Sequence, residues 1–174
     1  MSTQAANPLA DAFEFDVGGQ LASYWLAFLR LVTGWWFFHA GVTKLLEDGL
    51  AFTYGPVYLK NMTGTALGPL PVLMGEHLAP LIQAGVPLGE TAIGLGLMAG
   101  VLVRLASFFG VFFMTLFWVG NAGFSHGLVN SDFMGLLLFA TLMVFAAGRH
   151  YGLDAVLERT ALVENNPRLR YLLG

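Results

Sequence analysis

The chain has 174 residues, of which 56% are hydrophobic and 11% are charged, and its mean hydropathy is +0.68. Soluble domains carry about 25% charged residues, so this composition predicts an integral membrane protein. The length allows one compact bundle and no sizeable soluble domain. The formal charge of −3 is too small to favour a nucleic-acid partner, and the lack of cysteine excludes disulfides, thiolate metal sites and a cysteine nucleophile in this chain.

The hydrophobic runs predict an all-α integral membrane protein, a four-transmembrane-helix bundle with an irregular outward loop and a C-terminal amphipathic helix. A polar N-terminal tail occupies residues 1–20, and the four-helix transmembrane domain follows at 21–148. Its four spans are expected at about residues 21–46, 78–103, 105–123 and 133–148.

The remaining segments are predicted to lie outside the spans. Residues 47–77 are broken by prolines, which favours a short interfacial helix with a membrane-dipping loop, and Tyr54 and Tyr58 are expected at the headgroup level. Residues 149–174 are read as a cytoplasmic amphipathic tail, with its helix at about 153–163 and Asp154 on the polar face.

The basic residues predict the orientation. One side of a four-span bundle would carry five arginines, and the other would carry only Lys44 and Lys60. The five arginines are Arg104, Arg149, Arg159, Arg168 and Arg170. Because positive charge accumulates on the cytoplasmic side, the sequence predicts a multi-pass protein of the cell membrane with both termini in the cytoplasm.

Glu90 is the ionisable residue inside the second span, where a carboxylate costs about 2.5–3.5 kcal/mol on insertion scales and normally faces a partner or a cavity. It shares a helical stripe with Gly94, Leu97, Val101 and Arg104. A neighbouring stripe of glycines is expected to admit another helix at close range; it comprises Gly85, Gly89, Gly96 and Gly100.

Arg30 is the corresponding charge in the first span. It lies on a stripe of small and buried-type residues that comprises Thr33, Gly34, Phe37, Gly41 and Lys44. Because Arg30 and Glu90 both lie well inside their spans, we expect them to form a buried ion pair.

Three sequence blocks resemble the DoxX/DoxD family of four-span membrane proteins. They are FLRLVTGWWFFHAGVTKLLEDG, GETAIGLGLMAGVLVRLASFFG and GRHYGLDAVLER. The first contains an arginine followed by Gly-x-x-Lys-Leu, and the second contains a mid-span glutamate and a later arginine. The third contains a Gly-Arg-x-x-Gly-Leu-Asp ending. Together with an Asn-Ser-Asp connection, the blocks cover most of residues 25–160.

This resemblance implies a function linked to quinones. The DoxD branch is similar to the membrane subunit of thiosulfate:quinone oxidoreductase, and other members are membrane partners of redox proteins. The resemblance therefore implies an enzyme role as part of a quinone-linked oxidoreductase complex, with quinone as the cofactor. Partners would be membrane lipids, other membrane-complex or redox subunits, and further copies of the chain in a homo-oligomer.

The candidate site residues fall into three groups. Glu90 and Arg30 are the catalytic candidates, with Glu90 as a proton carrier beside a quinone; a structural ion pair that fixes the helix register is the favoured reading, and the two roles are compatible. The candidates for holding the cofactor are Lys44, Arg104, Phe113 and Trp118. The candidates for an outward substrate site are His77, His126, Asn130 and Asp132. Neither a metal nor haem is expected, because only His39 lies clearly at membrane depth.

Two other functions remain open. A non-catalytic accessory or lipid-binding subunit of a larger respiratory membrane complex fits the glycine stripe and the Phe-rich third span. A small-solute transporter fits less well, because the sequence contains no evident inverted repeat.

Overall fold

The computed structural model describes residues 19–120 and 127–174, and all regular elements within these ranges are helical. The α-helices of the described ranges are α1 (Gln20–Asp48), α2 (Tyr54–Lys60), α3 (Leu70–His77), α4 (Ala79–Ala99), α5 (Val103–Gly120), α6 (Ser131–Val144), α7 (Asp154–Leu157) and α8 (Ala161–Asn165). Two 3-10 helices occur at Ala147–Arg149 and Pro167–Tyr171. The predicted tail at residues 1–18 and the last residues of the predicted third span lie outside the described residues.

The four long helices pack together in two extensive pairs. α1 packs along α4, and α5 packs along α6, while α4 also contacts α5 and α1 also contacts α6. Phe37, Leu97, Met114 and Phe139, one from each of these helices, are among the residues of the common apolar core. The predicted stripe on α1 is confirmed, since Arg30, Thr33, Gly34, Phe37 and Gly41 are all buried.

The close approach between α1 and α4 depends on glycines outside the predicted glycine stripe. A Cβ on Gly94 would collide with the backbone of Phe38, and a Cβ on Gly41 would collide with Thr91. By contrast, Gly85 faces open space and Gly89 makes only ordinary contact with Phe113. The helix–helix contact therefore uses the stripe that carries Glu90 rather than the neighbouring glycine stripe.

Among the described residues, two helices are long and apolar enough to cross a membrane. They are α4, with 21 residues, and α5, with 18 residues. α4 ends at Gly100, which adopts the left-handed conformation (φ 70°) and turns the chain into α5. The sequence predicted that Val101 and Arg104 share the helical stripe of Glu90. Because of this turn they do not, since α4 has already ended. α6 has 14 residues and spans only about 21 Å.

The segment between α1 and α4 is more regular than predicted. α2 and α3 pack against each other, and α2 also packs on α4. Gly75 of α3 has no room for a Cβ because the carbonyl of Pro56 and the chain of Lys60 lie against it. Two short packed helices thus replace the predicted single helix and dipping loop.

The C-terminal segment also differs from the prediction. The expected continuous amphipathic helix is instead divided into α7 and α8, which are four and five residues long. Asp154, which was expected on a polar outer face, is fully buried. The segment folds back onto the end of the bundle where α4 turns into α5.

Candidate functional site

Glu90 forms an ion pair with Lys44. The Lys44 Nζ lies 2.5 Å from the Glu90 Oε2, and the side chains are 25% and 4% exposed, respectively. The pair joins α4 to α1 near the end of α1. The predicted Arg30–Glu90 pair is therefore wrong: Lys44 and Arg30 share one face of α1, but they are 14 residues apart, which places them about 21 Å from each other along the helix.

Arg30 binds backbone carbonyls at the opposite end of the bundle. Its Nη1 donates to the carbonyl of Leu97 at 2.9 Å, and its Nη2 donates to the carbonyl of Tyr151 at 3.1 Å. The side chain is only 2% exposed. This geometry ties α1 to the end of α4 and to the C-terminal segment, and it separates Arg30 from the chemistry available to Glu90.

A cavity of about 150 Å³ adjoins the Lys44–Glu90 pair. Apart from this pair and two tyrosines, its walls are apolar; they comprise Phe52, Gly55, Leu59, Ile82, Val86, Phe113, Leu116 and Phe117, with Tyr54 and Tyr58. The Lys44 Nζ also lies 5.5 Å from the centroid of the Phe52 ring, within cation–π range. A protein cavity of about this volume accepts a single benzene-sized ring.

Tyr58 lies between this cavity and the surface. It lines the cavity, and it also lines an open depression of about 200 Å³ together with Tyr54, Phe117 and Asp132. Its hydroxyl donates to the carbonyl of Phe117 at 3.3 Å. Burial, with smaller contributions from the charges of Asp132 and Tyr54, raises the pKa of Tyr58 to about 12.

The structure brings only some of the predicted cofactor-binding residues together. Lys44 and Phe113 both line the cavity. Trp118 instead donates from its Nε1 to the carbonyl of Leu128 at 2.9 Å, and its ring packs on Phe133. Arg104 lies at the other end of the bundle, near the chain end.

Of the four candidates for the outward substrate site, the structure describes His77, Asn130 and Asp132. His77 is exposed at the end of α3 and does not line the cavity. Asn130 caps α6, since its side-chain oxygen accepts from the backbone N–H groups of Asp132 and Phe133. Asp132 lies beside Tyr58, and His126 lies outside the described residues.

Asp154 is the structurally important residue whose role sequence reasoning missed. Its carboxylate accepts from the backbone N–H groups of Leu102, Val103 and Gly174 at 2.8–3.0 Å. It thus caps the start of α5 from a position about 50 residues later in the chain. The Gly-Leu-Asp block was visible in the sequence, but nothing in it indicated which N–H groups the aspartate would bind.

The fold and site together define a helical membrane domain built around a buried ion pair. The family model for DoxX matches residues 25–122, more than half of the chain. The chain therefore belongs to the DoxX family. Neither the curated proteins nor the solved structures contain a match to this chain.

Proposed function

We propose that this protein is the membrane subunit of a quinone-linked oxidoreductase, and that the cavity beside Lys44 and Glu90 binds the quinone ring. One observation carries the proposal: a nearly buried ion pair adjoins an aromatic-lined cavity whose volume suits one ring. A small number of polar groups in an otherwise apolar pocket is the usual composition of a cofactor site.

Each residue of the cavity has a distinct part in this proposal. A bound quinone supplies an acceptor for two electrons and two protons. The Lys44 ammonium would donate a hydrogen bond to an oxygen of the quinone, and Glu90 would hold Lys44 in place and exchange a proton with that oxygen. The apolar walls exclude water, which strengthens these charge interactions. Electrons come from a partner subunit that oxidises the donor, for which the family resemblance favours thiosulfate.

The same proposal assigns four membrane crossings, by α1, α4, α5 and α6, with both termini in the cytoplasm of the cell. The apolar lengths of α4 and α5 support two of these crossings. α6 is short for a bilayer of about 30 Å and would require local thinning of the membrane. The arginine-rich end of the bundle would face the cytoplasm.

The test is donor-dependent quinone reduction by the complex purified from native membranes in a gentle detergent. We expect Glu90→Gln to lower the turnover by about 100-fold, because a positioned general acid or base contributes at least that much. Glu158→Gln, which changes a surface carboxylate paired with Arg149, is the matched control. Wild-type turnover in the Glu90→Gln complex would rule out the proposed role of the cavity.

A second candidate is a non-catalytic accessory subunit of a larger membrane complex. The outer face of α1 favours it, because Trp25, Phe28, Trp35 and Trp36 are all about half exposed and offer a broad aromatic surface. In that case the protein would copurify stoichiometrically with a membrane complex, and Glu90→Gln would leave the activity of that complex unchanged.

A further inference from the structure

A second apolar depression lies between α4 and α5, separate from the Lys44–Glu90 cavity. It has a volume of about 370 Å³, and its lining includes Ala92, Gly96, Leu102, Leu105 and Phe109. Ala92, Leu102 and Phe109 are exposed, so the groove opens on the outer surface of the two helices that are apolar enough to span a membrane. No residue of the Lys44–Glu90 cavity lines it.

A basic surface adjoins one end of this groove. Arg104 precedes the groove residue Leu105, and its Nη1 contacts the carbonyl of Arg170 at 3.5 Å. The backbone N–H of Leu105 donates to the carbonyl of Leu172 at 3.2 Å. These contacts place the 3-10 helix Pro167–Tyr171, with the exposed side chains of Arg168 and Arg170, against the start of α5.

The arginines of this surface have no carboxylate partner among the described residues. The ion pairs formed within these residues are Lys44–Glu90 and Arg149–Glu158, and neither involves Arg104, Arg168 or Arg170. Asp154, the nearby buried acid, already accepts three backbone N–H groups. The three arginines of this surface therefore belong to no ion pair within the described residues, and they lie next to an apolar groove.

We propose that this surface binds one anionic phospholipid, with an acyl chain in the groove and the phosphate against Arg104 and Arg170. Charge complementarity favours this occupant, because an apolar helix of a partner would leave the arginines without counter-charges. Basic pockets between membrane helices bind anionic headgroups in this manner. The proposal is independent of the quinone site, since it uses a different face of α4.

The test measures lipid selectivity of the full-length protein reconstituted in bilayers, using spin-labelled phosphatidylglycerol and phosphatidylcholine. We expect the wild type to retain phosphatidylglycerol selectively. Arg104→Gln should lower that selectivity about fivefold, the effect of one basic residue near an anionic surface, and Arg170→Gln should also lower it. Ala92→Leu, which fills the groove, should lower the retention of both lipids.

Lys60→Gln is the charge-matched control, because Lys60 is exposed on α2, away from this surface. An equal loss of selectivity in Lys60→Gln and Arg104→Gln would overturn the proposal, since it would indicate a general charge effect. Unchanged retention in both Arg104→Gln and Ala92→Leu would also overturn it. Complete displacement of phosphatidylglycerol by an equal concentration of soluble glycerol 3-phosphate would overturn the lipid assignment, because the site would then bind a phosphate without an acyl chain.

Discussion

The nearly buried carboxylate of Glu90 has a cation beside it, which offsets part of the cost of burying a charge. Lys44 is better suited than Arg30 to supply that cation, because it sits at the level of Glu90 and keeps a quarter of its side chain exposed. An ammonium group is also a compact donor that can turn between a carboxylate and a ligand. The identity and exposure of the partner therefore make the pair suitable for chemistry as well as for helix packing.

Because Glu90 is more buried than Lys44, single substitutions of these two residues should lower the free energy of unfolding by different amounts. We expect Lys44→Met to lower the free energy of unfolding by about 3–5 kcal/mol, because it leaves a buried carboxylate without a partner. Glu90→Gln should cost less, because the Lys44 ammonium can turn towards water. The double variant should recover part of the loss. An unfolding titration in mixed detergent micelles measures all three.

The same unfolding titration of the Lys44 and Glu90 variants could also contradict the ion pair. If Lys44→Met and Glu90→Gln lower stability independently and their effects simply add in the double variant, the two side chains do not interact energetically. That result would contradict the ion pair as described.

Tyr58 gives a prediction for alkaline pH. Because the pKa of folded Tyr58 is about 12 and the ordinary value is 10.0, the folded state keeps the phenol proton over a range in which the unfolded state loses it. The resulting stability is complete below about pH 10 and is lost as the pH rises through about 12. An absorbance titration of tyrosinate should therefore contain a late component that loses the contribution of one tyrosine in Tyr58→Phe and is unchanged in Tyr171→Phe.

At the scale of the elements, the turn from α4 to α5 depends on residues brought from the C-terminal segment. The N–H of Asp154 donates to the carbonyl of Gly100 at 2.8 Å, and its carboxylate caps the first N–H groups of α5. Arg30 adds a donor to the carbonyl of Leu97. The backbone groups without intrahelical partners at the end of α4 and the start of α5 are thus hydrogen-bonded by residues distant in the sequence. Such bonds are required where water is scarce.

Asp154→Asn tests this arrangement. The amide keeps one acceptor oxygen but loses the charge and the second oxygen, and each hydrogen bond to a charged group contributes about 1.5–3 kcal/mol. We expect a loss of at least that size in the free energy of unfolding. Glu158→Gln, which removes one exposed ion pair with Arg149, should change it by at most about 1 kcal/mol. Equal losses in the two variants would argue against the capping role.

At the scale of the whole molecule, the proposed orientation can be tested by chemical labelling. The chain contains no cysteine, so one introduced cysteine gives a unique site for a membrane-impermeant maleimide. We expect Glu164→Cys to be labelled only after the cells are opened, because the proposed orientation puts the arginine-rich end in the cytoplasm. Lys60→Cys should be labelled in intact cells. The reverse pattern would invert the orientation, and labelling of both in intact cells would contradict the number of crossings.

Much of the architecture could be predicted from local pattern. The runs of apolar residues located the four long helices to within a few residues, and the helical stripe of α1 identified its buried face. The three sequence blocks were sufficient to suggest the family that the comparison then established. The division of the C-terminal tail into α7 and α8 was missed, because burial of Asp154 overrides the amphipathic pattern of the segment.

The candidate site was predicted less completely. Glu90, Lys44 and Phe113 were all singled out, but Lys44 was assigned to the cofactor and Arg30 was assigned as the partner of Glu90. Periodicity specifies which face of a helix a residue occupies, and it does not specify the offset between two neighbouring helices along their axes. A difference of about four turns separates Arg30 from Lys44 on the same face, and only that offset decides which of them meets Glu90.

The sequence by itself determined that the chain is helical and membrane-type, which face of α1 is buried, and which family the chain belongs to, because these properties follow from composition, periodicity and short motifs. The tertiary structure alone decided three further features: the partner of Glu90, the aromatic cavity beside it, and the cap that Asp154 places on α5. Each of these joins residues about 45 or more positions apart. Such contacts depend on the relative positions of packed helices, which no local pattern encodes.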